Sequence, residues 1–231
     1  MVTHEIITVG VVDDHPAMRR GIRAILEQAP GIEVVGEASD GTQAMALVAQ
    51  FQPRILLLDI EMPGPRACDV EKWVRTHYPA TITLVLTAHN YDAYLADMVE
   101  AGAQGFLLKE IDEHYLVKAI HRAVEGELLL TGAQLERIQR WRQDVGEKWG
   151  SLTARERAVV RLVTQGRRNS DIAQSLGIAE HTVETHLGHA LHKLALSNRT
   201  ELTTWVLQHK LAVEDPNLVE NHQKKMVDFQ D

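Results

Sequence analysis

The sequence predicts an α/β domain with a doubly wound, five-stranded parallel sheet, followed by a small all-α domain built around a helix-turn-helix. Two observations support this prediction. Short apolar runs begin at residues 6, 32, 55, 82 and 105, and each interval has room for one helix and two loops, as in successive βα units. After residue 150, the apolar residues follow helical periodicity only.

The five apolar runs are the predicted strands, which cover residues 6–12, 32–38, 55–58, 82–86 and 105–108. The runs are continuous rather than alternating, which is typical of parallel strands buried on both faces. A first helix is expected to begin at Pro16, because the first helical turn tolerates proline. Three further helices are marked by apolar residues at helical spacing: Ala44, Leu47 and Val48; Leu95, Val99 and Ala101; and Leu116, Val117, Ile120 and Val124.

The change in pattern sets the predicted domain boundaries. The α/β domain is expected to cover residues 1–126, a helical linker 127–150, the helical domain 151–213 and a polar tail 214–231. The linker carries one apolar stripe and then two glycines that are expected to interrupt it: Leu135, Ile138, Trp141 and Val145, then Gly146 and Gly150. The net charge is −8 up to residue 150, +3 in the helical domain and −3 in the tail. This split favours an acidic first module and a mildly basic second module.

The helical domain begins with a capping box, in which Glu156 follows Thr153 by three residues, and Gly166 is expected to end that helix. Further helices are predicted over residues 170–176, 180–194 and 199–211.

Three residues have the spacing that is typical of a helix-turn-helix. Ala173 lets two helices approach, Gly177 allows the tight turn, and Val183 anchors the second helix.

Cys68 is the single cysteine of the chain, so no disulfide can form within it. The N-terminal apolar run lacks a basic stretch before it and does not resemble a signal peptide. Since a membrane helix needs about 20 apolar residues and no run approaches that length, we expect a soluble, cytoplasmic protein without a membrane partner.

Polar residues follow four of the predicted strands where each strand ends. Asp13 and Asp14 follow the first strand, Asp59 the third, Thr87 the fourth and Lys109 the fifth. In a parallel sheet these carboxyl ends meet at one edge. Three carboxylates there repel, so either the pKa of one of them rises or a divalent cation neutralises them, and oxygen ligands suit Mg²⁺. A carboxylate beside Mg²⁺ and a lysine can accept a phosphoryl group. Taken singly, each residue also has an ordinary explanation, such as a helix cap.

The same residues lie in segments that resemble a known family. VVDDHPAMRRG, LLLDIEMPG, VLTAH and AGAQGFLLKE resemble the receiver domains of two-component response regulators. LTARERAVVRLVTQG, DIAQSLGIAEHTVETHL and NRTEL resemble the LuxR-type helix-turn-helix. Their order is that of the NarL/FixJ family, and the resemblance covers residues 5–211.

The resemblance implies that Asp59 is the phosphoacceptor and that a sensor histidine kinase is the donor. Asp14, Asp59 and the backbone carbonyl of Glu61 would ligate Mg²⁺, with Asp13 acting through water. Lys109 would pair with the phosphoryl group. The switch residues would be Thr87 and Phe106.

The first module departs from the family pattern in the loop after the phosphoacceptor. Ala67 replaces the usual glycine, and Pro65 and Arg66 alter the same loop. Glu61 and His89 occupy positions that tune the phosphoryl lifetime in the family.

The resemblance also implies that the helix from Glu180 enters the major groove of a pseudo-palindromic DNA site. Thr182, Thr185 and His189 would face the groove. Phosphate contacts would come from basic residues: Arg167, Arg168, Lys193 and Arg199.

Two positions of this helix depart from the family. Glu184 stands where lysine is usual, and Gly188 where a basic or polar residue is frequent. We therefore expect either an unusual DNA sequence or a low affinity. A metal site on His181, His186 and His189 is a less favoured alternative.

Phosphorylation is expected to free the DNA-binding domain or to favour a homodimer through the last helix: Leu202, Trp205 and Val206. RNA polymerase is a further expected partner. The chain would be no enzyme beyond its own phosphorylation and dephosphorylation. Two alternatives stay open: a phosphatase that uses Asp59 as nucleophile and Glu61 as acid, and a protein-interaction module whose DNA domain has decayed.

Overall fold

The computed structural model describes residues 6–211, and its first part is a five-stranded sheet. The strands are β1 to β5, with the bounds Ile7–Val12, Ile32–Ala38, Ile55–Leu58, Ile82–Thr87 and Gly105–Leu108. Their order in the sheet is β2-β1-β3-β4-β5, and every neighbouring pair is parallel. The predicted doubly wound parallel sheet is confirmed.

Helices connect and cover the strands; they are α1 to α5, with the bounds Pro16–Glu27, Gly41–Phe51, Ala67–His77, Asp92–Ala101 and Glu113–Val124. Pro16 opens α1, as predicted. Asp40 caps α2 and Asp112 caps α5, because each side chain accepts a bond from a backbone N–H in the first turn. Helix α3 carried no clear apolar pattern in the sequence, since its core-facing side includes the buried Glu71.

The segment after α5 covers the edge of the sheet. Leu129 forms a parallel bridge with Gly105, and its carbonyl accepts the Phe106 N–H at 3.3 Å. The Gln134 side chain donates to the Phe106 carbonyl at 3.1 Å. The outer edge of β5 is therefore bonded rather than open, which removes a site for pairing with other chains.

The linker is helical, but Gly146 does not interrupt it. Helix α6 spans Gly132–Trp141, a π-helical turn covers Arg142–Gly146, and α7 follows over Glu147–Gly150. Gly146 has a helical φ of −60°. A Cβ on it would lie 3.0 Å from the Trp141 ring, so the glycine makes room for this ring and does not break the helix.

The remaining helices are α8 to α11, with the bounds Ala154–Thr164, Asn169–Leu176, Glu180–Leu194 and Arg199–Gln208. The predicted capping box of Thr153 and Glu156 is present. Gly166 and Gly177 adopt φ values of +78° and +63°, the left-handed conformation that ends a helix and favours glycine. The core of this part is apolar and fully buried: Val159, Val160, Ile172, Val183, Ala190, Leu202 and Val206.

The described chain separates into two compact units. The first holds residues 6–90 and 94–135, and the second holds residues 136–211 together with 91–93. The domain boundaries given above stay predictions, and the polar tail 214–231 lies outside the described residues. Among the described helices, none is long and apolar enough to cross a membrane.

Candidate functional site

The carboxyl edge of the sheet brings the polar strand ends together. The sheet bonding continues one residue past the strands, because the Asp59 N–H donates to the Val12 carbonyl at 3.0 Å and the Lys109 N–H to the Thr87 carbonyl at 2.8 Å. Asp13 and Asp59 are almost completely buried.

Lys109 joins the two buried carboxylates. Its Nζ lies 2.7 Å from Asp59 Oδ2 and 2.6 Å from Asp13 Oδ2. Burial raises the pKa of the Asp59 carboxyl, and the Lys109 ammonium opposes this only in part. Burial acts to lower the pKa of Lys109, but its bonds to Asp13 and Asp59 outweigh burial and raise it. The lysine is therefore held as a cation beside a carboxylate that is costly to ionise.

The same pocket has the donor set for a divalent cation. One ligand atom each of Asp13, Asp14, His15 and Asp59 lies within 4.8 Å of the others. Asp13 Oδ2 lies 2.6 Å from Lys109 Nζ and Asp14 Oδ1 lies 2.5 Å from His15 Nδ1, and each of these oxygens can accept a further bond. Carboxylate oxygens with free acceptor capacity fit Mg²⁺.

His15 was not singled out from the sequence, although it follows the two aspartates directly. Its Nδ1 lies 2.5 Å from Asp14 Oδ1, and its side chain is 71% exposed at the mouth of the pocket. Its backbone N–H donates to Asp13 Oδ1 at 2.8 Å, so the turn that begins α1 also orients a carboxylate of the pocket.

The predicted switch residues are both buried. Thr87 Oγ1 accepts the His89 N–H at 3.1 Å, which ties the hydroxyl to the loop after β4. Phe106 is 3% exposed.

The two predicted tuning residues contact each other. His89 Nε2 lies 3.0 Å from Glu61 Oε2, and the Tyr94 hydroxyl donates to Glu61 Oε1 at 3.3 Å. The Glu61 carboxylate is therefore engaged on both oxygens. The role of its backbone carbonyl as a metal ligand stays a prediction.

The loop after Asp59 has a left-handed residue, but not at the position of the expected glycine. Gly64 has a φ of +83°, whereas Ala67 is the buried first residue of α3. Helix α2 supports this loop, because the Gly41 N–H donates to the Pro63 carbonyl at 3.0 Å. A Cβ on Gly41 would lie 2.3 Å from the Pro65 carbonyl oxygen, so the close approach requires glycine.

In the second unit, α9 and α10 form the helix-turn-helix around Gly177. The side of α10 away from the core is exposed, and Thr182 is half-buried at its margin. The exposed residues of this helix are Glu180, His181, Glu184, Thr185, Gly188, His189, His192 and Lys193. Thr185 donates its hydroxyl proton to the His181 carbonyl at 2.9 Å. Among the described residues, the helix histidines form no group at metal-ligand distance.

Comparison with known proteins identifies the family. Residues 9–121 match the family model of the response regulator receiver domain, and residues 150–206 match that of bacterial regulatory proteins, luxR family. The nitrate/nitrite response regulator protein NarL of Escherichia coli (strain K12) is 34% identical over 215 residues, which cover 91% of this chain and 100% of that protein. The chain belongs to the NarL/FixJ family of response regulators.

Other relatives of this response regulator agree. The transcriptional regulatory protein LiaR of Bacillus subtilis (strain 168) is 33% identical over 208 residues, 89% of this chain and 99% of its own. The RcsB response regulator of Salmonella typhimurium is similar in structure, with a TM-score of 0.58, 27% identity and coverage of 87% and 98%. A structure of an RcsB–DNA complex matches with a TM-score of 0.57 and 26% identity over 91% and 100% of the two chains.

Two of the response regulator's predicted phosphate-binding residues are bonded inside the second unit. Lys193 Nζ lies 2.8 Å from Glu156 Oε2 and 3.1 Å from the Ser151 carbonyl. Arg199 donates to Asn169 Oδ1 at 3.1 Å and also to the Arg167 carbonyl. The sequence could not predict these bonds, since they join different helices. Each cation therefore links two separate segments of the second unit.

The other two predicted phosphate contacts remain accessible. Arg167 is exposed and donates to Ser175 Oγ at 3.2 Å. Arg168 is exposed at the start of α9.

Two of the three predicted dimer contacts of the response regulator lie in the core of the second unit, and the dimer contact itself stays a prediction. Leu202 and Val206 are 0% exposed and belong to the core of their own unit. Trp205 is partly exposed and lines a shallow groove with Leu196 and Thr204. The apolar spacing of Leu202 and Val206 therefore marks the side of α11 that faces the core of its own unit.

Proposed function

We propose that this response regulator accepts a phosphoryl group on Asp59 and thereby controls the binding of its LuxR-type domain to DNA. The observation that carries the proposal is the buried trio at the carboxyl edge, in which Lys109 Nζ lies 2.7 Å from Asp59 and 2.6 Å from Asp13. A lysine at this place balances the charge that develops on a transferring phosphoryl group. Family membership favours this function over the phosphatase alternative.

The donor in this proposal is a phosphohistidine of a sensor histidine kinase. A carboxylate oxygen of Asp59 attacks the phosphorus, the bond between phosphorus and the histidine nitrogen breaks, and an aspartyl phosphate forms. Lys109 then exchanges its bond to Asp59 for a bond to a phosphoryl oxygen. Water later cleaves the aspartyl phosphate, so the chain catalyses only its own phosphorylation and dephosphorylation.

Asp14, Asp59 and the Glu61 backbone carbonyl would hold Mg²⁺, with Asp13 acting through water. When bound, the ion supplies positive charge that offsets the three carboxylates and the incoming phosphoryl oxygens. The clustering of Asp13, Asp14 and Asp59 ligand atoms within 4.8 Å of one another supports this assignment.

The signal leaves the site through Thr87 and Phe106. A phosphoryl oxygen that accepts a bond from the Thr87 hydroxyl draws it away from the His89 N–H, to which it is now bonded at 3.1 Å. Phe106 lies on the next strand, and its carbonyl accepts the Gln134 side chain at 3.1 Å. A rearrangement of β5 therefore reaches the first turn of α6 directly. In this proposal, the phosphoryl group on Asp59 shifts the population between two existing conformations of the chain and need not create a new conformation.

The output is binding of α10 in the major groove of a pseudo-palindromic site by two copies of the chain. Its exposed side would meet the base edges through Thr182, Glu184, Thr185, Gly188 and His189. Arg167 and Arg168 remain accessible for phosphates. The solved structures of RcsB with DNA, including RcsB dimers on DNA, support this part of the proposal. A cytoplasmic location follows from the DNA partner, and RNA polymerase is a further proposed contact.

The test is selection of genomic DNA fragments by the purified full chain, with and without beryllofluoride and Mg²⁺ as a phosphoryl mimic. We expect enrichment of a two-fold-related motif that is stronger with the mimic. The Asp59→Ala variant should lose the increase, whereas Glu33→Gln, an exposed carboxylate on β2, should keep it. Equal enrichment with and without the mimic would refute phosphorylation control, and no enrichment at low salt would refute DNA binding.

A further inference from the structure

Helix α10 brings almost no positive charge of its own to a nucleic acid. Lys193 is its single lysine or arginine, and that ammonium is bonded to Glu156 and to the Ser151 carbonyl. The exposed side of the helix carries two carboxylates, Glu180 and Glu184. If this side meets DNA, as the proposed function requires, a carboxylate lies in the major groove. Since DNA phosphates repel it, we ask which base could bind it there.

Glu184 is the carboxylate placed to meet base edges. It is exposed in the N-terminal half of α10, the half that contacts bases in a helix-turn-helix. Within the described part of the chain, its side chain takes part in no hydrogen bond or ion pair. Its neighbours one helical turn away are Glu180, His181, Leu187 and Gly188, which include no lysine or arginine. The carboxylate is therefore a free acceptor.

Gly188 leaves room beside this acceptor. A Cβ on Gly188 would meet no heavy atom within 4 Å, so the helix surface one turn after Glu184 is open. Thr185 is the exposed residue next to Glu184, and its hydroxyl already donates to the His181 carbonyl at 2.9 Å. The strongest acceptor on this stretch of the helix thus stands beside an open helix surface.

The chemistry of the major groove selects the partner of a lone acceptor. Guanine and thymine present only acceptors there, and a carboxylate is repelled by them. Adenine presents an N6 donor next to the N7 acceptor, whereas cytosine presents an N4 donor. A carboxylate accepts only. It therefore favours cytosine over adenine and disfavours guanine and thymine.

We propose that Glu184 is the specificity-determining residue of the second domain and selects cytosine in each half-site. This inference rests on the proposed DNA-binding function and adds the base that α10 selects. The expected preference at that position is about 10-fold, near the low end for a direct base contact, because one carboxylate makes one or two bonds to one amino group.

The test uses the full chain with beryllofluoride and Mg²⁺ and a library of randomised double-stranded oligonucleotides. Wild type should enrich one cytosine per half-site. Glu184→Gln should shift that position toward adenine, since an amide both donates and accepts and pairs with adenine N6 and N7. Glu184→Lys should shift it toward guanine, and Glu184→Ala should relax it. As a control, Glu147→Gln removes one exposed carboxylate of α7 and should leave the selected motif unchanged.

The outcomes separate this inference from the function on which it rests. If all variants bind DNA and select the same motif, DNA binding stands and the role of Glu184 is refuted. A uniform gain in affinity at all sequences in Glu184→Gln would show that the carboxylate only repels phosphates, which also overturns it. If wild type binds no sequence, both the DNA-binding function and this inference fail.

Discussion

Replacing Lys193 by methionine distinguishes a structural lysine from a phosphate contact. The Lys193 ammonium bonds the Glu156 carboxylate at 2.8 Å, and this joins α10 to the N-terminus of α8. Glu156 is 3% exposed and also accepts the Thr153 N–H at 2.7 Å. Methionine keeps the length and apolar part of the side chain but leaves the buried carboxylate without its cation.

The expected cost follows from the burial of the two partners. Removing one partner of a fully buried ion pair costs about 3–5 kcal/mol of folding stability, and losing a hydrogen bond to a charged group costs about 1.5–3 kcal/mol. The Lys193 side chain is 34% exposed, so water can replace part of the bond. We therefore expect Lys193→Met to destabilise the second unit by about 1–3 kcal/mol.

Hydrogen exchange of the full chain, followed by mass spectrometry, measures this cost locally. A loss of about 1–3 kcal/mol corresponds to roughly 5- to 150-fold faster exchange in peptides from α10. Lys148→Met, an exposed lysine of α7, is the matched control and should leave the exchange of α10 unchanged. The structural role would be refuted if Lys193→Met left the exchange of α10 unchanged and lowered the slope of log DNA affinity against log salt by about one unit.

The same variant has a defined pH dependence. Burial opposes ionisation of Glu156, but the bonds from Lys193 and Thr153 outweigh burial and hold the pKa of its carboxyl below the ordinary value of 4.5. A lowered carboxyl pKa stabilises the folded state above about pH 4.5, and this contribution is lost as the pH falls through the folded-state value. The difference between wild type and Lys193→Met should thus be full at pH 7 and shrink in acid.

Three further predictions concern other parts of the chain. Asp59→Asn should raise the melting temperature at pH 7 without Mg²⁺. Burial raises the pKa of the Asp59 carboxyl, so its ionisation costs stability as the pH rises above 3.8, the ordinary value, and the gain in melting temperature should vanish in acid. Gly41→Ala should lower the melting temperature and weaken beryllofluoride binding, since a Cβ would lie 2.3 Å from the Pro65 carbonyl oxygen, and such overpacking costs about 1–3 kcal/mol. With Lys193 and Arg199 bonded internally, the slope of log affinity against log salt should be about −2 per protomer; a slope of about −4 would show that both reach phosphates.

The sheet could be predicted from the sequence because each strand is a continuous apolar run with a polar residue at its end. Topology then places those ends together, and Asp13, Asp59 and Lys109 do meet at one edge. Helix α3 escaped the pattern because a carboxylate occupies its core-facing side. Glu71 is 0% exposed and pairs with Arg75 at 3.1 Å, and burial raises the pKa of its carboxyl. Periodicity rules treat such a residue as solvent-facing.

The helical domain shows a second limit of sequence patterns. Spacing separates the core-facing residues of a helix from its outer residues, and Val183 is buried as predicted. Spacing does not tell whether an apolar residue packs in its own core or against a partner, and Leu202 and Val206, which were predicted as dimer contacts, are buried in their own core. Only the packing of α11 against α8 shows that these two residues face the core.

The same limit governs the basic residues and gives Glu184 its significance. A count of lysines and arginines treats every cation as free, whereas Lys193 neutralises Glu156, 37 residues away along the chain. Once that pair is removed from the count, the exposed side of α10 is acidic. The attraction of α10 itself to phosphates is then weak, so base contacts have to supply a larger share of what this helix adds to the binding free energy. A recognition helix with this charge distribution gains affinity mainly at sequences that offer its carboxylate a donor.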